Sequence, residues 1–298
     1  MISMARSRKE EKLNRNGAYK VRDAGLTAIM PHLMPNRTDS EVFLHDIVDI
    51  TELLPYIDAK NSRGENYKTT LFHCIIFAIA KMIYERPYLN RYIQTRTLYE
   101  RKDISFGFVA RRHFADGADE CLMTLITEPE TTLDEISKKI YGDVTKMRSE
   151  EKASDGIDKV IDTIAGLPVL LTMAIVKAAR ILDFWGLAPS FFKDGDPNYT
   201  TVFLSNLGSI KCPAVYHHLN NYGTNSIMVT IGTIHKEEIV AEDGTKHIRD
   251  VVDIGVTLDE RIADGFYFIK SLKLVKYICQ HPEFFDRPIG EPSGYKYE

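Results

Sequence analysis

The chain has 298 residues, 44% of them hydrophobic and 27% charged, with 38 Lys and Arg against 42 Asp and Glu for a formal net charge of −4. That length and composition support a buried core and argue against disorder, and a nearly neutral balance gives no electrostatic reason for nucleic acid as a partner. Cys74, Cys121, Cys212 and Cys279 are far apart and form neither a CxxC pair nor a zinc spacing. Free thiols in a cytoplasmic location, and no metal, are therefore expected.

The first 22 residues are basic and polar, without the apolar run of a secretory signal, and read as a charged arm before a single domain over 23–298. EVFLHDIVDI at 41–50 is rich in β-branched and aromatic residues and predicts a strand. TTLFHCIIFAIAKMIYER at 69–86 is apolar on almost every side, which predicts a buried helix stopped by Pro87. Strands are expected at 104–111 and 120–127, then a helix over 131–140 capped by Thr131 or Thr132.

Residues 147–165 are charged and helical in pattern, and 167–185 form a second apolar helix before a loop at 193–197. The most membrane-like stretch is 166–192, but Lys177 and Arg180 interrupt it before about 18 apolar residues accumulate. The simpler reading is an inserted helix packed on the domain or covering its site. The sharper one is a surface for a membrane or lipid-like chain, with Lys177 and Arg180 meeting anionic headgroups.

Strands follow at 200–204, 226–235 and 249–258, the last two joined by a turn at Asp243-Gly244. Residues 266–279 repeat apolar side chains at helical spacing and stop before Pro282. Strands and helices mix without strict alternation, so the expected fold class is α/β, a two-layer α+β sandwich with a mixed sheet and helices packed on it.

Two polar segments are candidates for chemistry. One is Asp259-Glu260-Arg261-Ile262-Ala263-Asp264-Gly265, between the last strand and last helix; the other is Ser205-Asn206-Leu207-Gly208, at a strand end. Each has a bland reading: Asp264 as a helix cap beside the permissive Gly265, and Ser205-Asn206 as a polar turn.

The order of these segments resembles the catalytic domain of the 2-oxo acid dehydrogenase dihydrolipoamide acyltransferases and their relative chloramphenicol acetyltransferase. The family signature Asp-His-Arg-x-x-Asp-Gly is matched by residues 259–265, with Glu260 at the His position. VFLSNLGSI, FAIAKMIYERPYLNRYI and LHDIVDITELL resemble the family's Ser-Asn turn, buried helix and first long strand. The likeness runs over about 25–287, apart from an unmatched insertion at about 147–197.

The resemblance implies transfer of an acyl group between coenzyme A, as cosubstrate, and a thiol, hydroxyl or amine on a small-molecule or carrier-borne acceptor. It implies a homotrimer whose active site lies between subunits. By position, Ser205 becomes the oxyanion donor and Glu260 the base. Asp264 becomes the structural acid, supported by Asn206, Arg261 and Gly265. No lipoyl-lysine module or Ala/Pro-rich linker is present in this chain.

Glu260 is the departure. An unperturbed carboxylate lies about 2 pKa units below imidazole, weakening the proton-transfer driving force by about 3 kcal/mol unless burial raises it. The alternative implied is a non-catalytic trimeric homologue that binds or assembles. Other bases are weaker candidates. His217 and His218 match no family group, His235 and His247 flank the hairpin, and His45 and His73 read as structural. Cys212 lacks a partner base for carrying an acyl group.

Overall fold

The computed structural model describes residues 17–22, 25–112, 120–149, 163–241 and 243–297. Its centre is a six-stranded mixed sheet. The strands are β2 (Glu41–Asp49), β5 (Ile104–Arg111), β6 (Glu120–Thr127), β7 (Val202–Asn206), β8 (Ile227–Val240) and β9 (Lys246–Asp259), in the order β2-β9-β8-β7-β5-β6. The β5–β7 and β7–β8 pairs are parallel and the other three antiparallel.

One face of the sheet is covered by helices. Ile254, Val256 and Leu258 of β9 meet Ile79 and Met82 of α3 (Leu71–Glu85) and Phe268 and Val275 of α7 (Gly265–Gln280). The near-continuous apolar pattern of α3 leaves residues 73–83 buried. Its first turn is closed by His73, whose Nδ1 accepts from the Thr70 amide at 3.3 Å. Burial lowers the His73 pKa to about 4, so the imidazole stays a neutral acceptor. At the other end the Arg86 guanidinium lies 3.6 Å from the Tyr267 ring centroid and donates to the Tyr267 carbonyl, locking α3 to α7.

A second, three-stranded sheet has the order β1-β4-β3, from β1 (Ala18–Lys20), β3 (Arg91–Gln94) and β4 (Thr97–Arg101). The expected arm lies outside the described residues as far as Asn16, and its end is corrected here. Ala18–Lys20 pairs with β4, and Ala18 is fully buried, because the backbone of this stretch completes a sheet edge. The helices α1 (Leu26–Leu33) and α2 (Leu53–Asn61) are further additions to the expected elements.

Other expected elements change in length. α4 (Leu133–Ser149) runs beyond residue 140 because Met147 extends its buried stripe. Thr132 caps it, donating its amide to Glu135 at 2.8 Å while its hydroxyl accepts from the Glu135 amide. The expected helix at 147–165 falls largely on 150–162, outside the described residues. α5 (Val169–Phe184) and the short α6 (Ser190–Lys193) follow. β8 and β9 extend to the Asp243-Gly244 turn, where Gly244 takes φ 81. All four cysteines are free, and among the described residues no helix is long and apolar enough to cross a membrane.

Candidate functional site

The signature segment is a turn held from beneath. Asp259 is fully buried at the end of β9, and Arg261 is 2% exposed. Arg261 donates Nε to Asp259 Oδ1 at 2.8 Å and Nη2 to Oδ2 at 2.7 Å, a two-pronged pair whose planar fork matches the carboxylate. Asp259 Oδ1 also accepts from the Ser40 hydroxyl and the Arg261 amide, and Arg261 Nη1 reaches the Met34 carbonyl. The buried charges are thus paired and hydrogen-bonded, as burial requires.

Between them stands Glu260. Its amide donates to the Ser40 carbonyl at 3.0 Å, fixing the backbone. Its half-buried carboxylate makes no hydrogen bond or ion pair with any described residue. Asp264 is exposed and caps α7, accepting from the Tyr267 amide at 2.7 Å, with Gly265 the first helical residue. Ser40 and Met34 hold the turn from a distant segment, and no motif in the sequence announces them.

Ser205 is half-buried near the end of β7, and its hydroxyl is likewise without a partner among the described residues. Asn206 is exposed at the edge of the turn that follows. Gly208 is demanded by close approach, since a Cβ there would collide with the Gly232 carbonyl oxygen of β8. Ser205 pairs in register with Thr230, and Thr230 with Gly255. All three therefore face away from the helices.

The same register separates the two candidate groups. Glu260 lies two strands across and five residues along from Ser205, which places them about 19 Å apart at ~4.8 Å per strand and ~3.3 Å per residue. Within one chain they cannot reach one reacting atom. The same helix-free face exposes Phe43 (47%) on β2 and Leu122 (56%) and Ile126 (60%) on β6, at the two sheet edges, while Val215 covers Thr230 and Gly255 beside Ser205.

The histidines lie elsewhere. His73 has the structural role just described. His45 and His235 both approach Asp253, at 3.3 and 3.6 Å, on the β2-β9-β8 surface. The rings of His217 and His218 lie 4.9 Å apart and tilted by 43° in the segment before β8. Among the described residues no group of three or more His, Cys, Asp or Glu is arranged to hold a metal.

No family model and no curated protein matches the chain by sequence. Solved structures do match by shape. A probable dihydrolipoamide acetyltransferase from Listeria monocytogenes 4b F2365 is 16% identical, with TM-score 0.58, and the match covers 93% of this chain and 99% of that one. The dihydrolipoamide acetyltransferase of Azotobacter vinelandii is 15% identical, with TM-score 0.58 and coverage of 90% and 94%. A chloramphenicol acetyltransferase is 12% identical, with TM-score 0.52 and coverage of 88% and 99%. The chain has the α/β fold of the chloramphenicol acetyltransferase-like acyltransferase cores.

Proposed function

We propose that the protein is a coenzyme A-dependent acyltransferase whose active site is completed between copies in a homotrimer. The observation that carries this reading is the pair of unpartnered polar groups, Glu260 and Ser205, set about 19 Å apart on one sheet. The exposed apolar residues on the edge strands of the same sheet face support association there, bringing one copy's Ser205 to the next copy's Glu260.

The acceptor's hydroxyl, thiol or amine attacks the thioester carbonyl while Glu260 takes its proton. The resulting oxyanion accepts a hydrogen bond from the Ser205 hydroxyl, a contact of about 3 kcal/mol in comparable sites. Collapse expels the coenzyme A thiolate, which recovers the proton from Glu260. The Asp259–Arg261 pair holds the Glu260 backbone in place, and Asp264 fixes the start of α7.

The test is acyl-CoA consumption with dihydrolipoamide and a panel of alcohols and amines, for wild type beside Glu260→Gln and Ser205→Ala. Loss of turnover in both folded variants is expected. Equal rates in all three proteins contradict the assignment. Glu260 at the position where the family has His favours a second reading, a binding or assembly homologue; acyl-CoA binding without turnover for any acceptor would establish it.

A further inference from the structure

The geometry points to a separate binding site beneath α5 for an amphipathic anion, an apolar chain ending in a carboxylate or phosphate. It does not rest on the acyl-transfer reading, although Arg261 of the signature turn lines its polar end.

α5 is held mainly at its C-terminal end. Asp183, its only buried residue, accepts from the Tyr199 hydroxyl at 2.6 Å and the Gly223 amide at 2.8 Å. The Asp183 carbonyl accepts from Gln94, and the Phe184 carbonyl from the Thr95 hydroxyl. Among the described residues the rest of the helix is hardly packed on any other helix or strand. Between it and the 218–222 segment lies a cleft of about 650 Å³, walled by Ile175, Val176, Ala179 and Leu182 on one side and Leu219 and Tyr222 on the other. That size and lining suit a small apolar ligand.

The cleft opens onto cations. Arg180, Asp183 and Asn221 also line a smaller polar pocket of about 190 Å³, together with Arg37, Arg96 and Arg261. Arg261 is neutralised by Asp259, and Asp183 lies within electrostatic reach of the buried Arg37. Two positive charges remain in this pocket, with one further carboxylate, Asp196, on the cleft wall. Among the described residues Arg180 has no hydrogen-bond or ion-pair partner, and Arg96 donates only to the carbonyls of Pro31 and His32. Arg37, 6% exposed, keeps an Nε without an acceptor.

Arg96 is placed there against local preference. Thr95 and Arg96 form the two-residue turn between β3 and β4 with φ values of 51 and 57, where Asn-Gly would be the relaxed choice. An excess of arginines beside an apolar cleft is the complement of a negatively charged head on a hydrocarbon chain.

Occupancy is read by isothermal titration calorimetry, because the single tryptophan, Trp185, does not line the cleft. Dodecanoate, dodecyl phosphate, dodecanol and inorganic phosphate are titrated below micelle-forming concentrations. Dodecanoate or dodecyl phosphate should bind saturably, and whichever binds more tightly identifies the head group. Dodecanol should bind about tenfold more weakly or worse, and inorganic phosphate alone should give no saturable heat. In the Arg96→Gln/Arg180→Gln double variant, affinity for the anionic chain should fall to that of dodecanol while dodecanol binding is unchanged, an internal check that the cleft is intact. Equal affinity for dodecanol and both anionic chains, an unaltered double variant, or no saturable binding overturns the proposal.

Discussion

The signature turn and α5 are opposite answers to the cost of leaving groups unpartnered. In the turn, Asp259 and Arg261 are removed from water and every charge is matched, so that the only group left open is Glu260. In α5, Leu170 is 81% exposed and Val169 73%, while the single buried residue is the acid that anchors the helix. Rigidity is concentrated in the turn, where a positioned carboxylate needs it. Capacity to accept another surface is concentrated in α5.

The sharpest way to break this contrast is to unpair the turn. Asp259→Asn leaves the Arg261 guanidinium buried without its counter-charge and should cost about 3–5 kcal/mol in denaturant unfolding. A loss below about 1 kcal/mol would mean that the turn is not the rigid element described.

Next comes the buried neutral His73 behind the sheet. Its folded pKa, about 4, lies below the ordinary 6.5, so the unfolded chain takes up the proton first. The stabilisation is complete above pH 6.5 and declines as pH falls towards 4, by up to about 3 kcal/mol. Urea midpoints measured across that range should fall steeply in wild type and much less in His73→Gln.

Removing the cap with Asp264→Ala should cost about 1 kcal/mol, read from thermal melts. The smallest effect is expected on α5, where Leu170→Asn should change stability by less than about 0.5 kcal/mol. A larger loss there would mean that α5 is packed rather than open.

Much of the main sheet was legible because its signals are local. β5 and β6 have the expected bounds, and α3 and α7 follow their apolar patterns to within a residue or two. The β3–β4 hairpin was not legible. Its turn is Thr95-Arg96 at positive φ, held by contacts to Phe184 and Pro31 that no short window contains. At the candidate site, the sequence marked Asp259, Glu260, Arg261 and Ser205 by motif, and it offered the capping role of Asp264. It could not show that Ser40 and Met34 anchor the turn, because those contacts span more than 200 residues of chain. Nor could it show how far apart Ser205 and Glu260 lie, which is a property of strand register.

In the proposed trimer Glu260 and Ser205 act together only across copies. Purified Glu260→Gln and Ser205→Ala proteins, each inactive alone, are dissociated, mixed and reassembled, and acyl-CoA consumption is measured. One interface in each mixed trimer then joins an intact Glu260 to an intact Ser205, so activity should return to about a quarter of wild type for random mixing. Mixed assemblies that form but stay as inactive as the separate variants, beside an active wild type taken through the same procedure, would contradict the account.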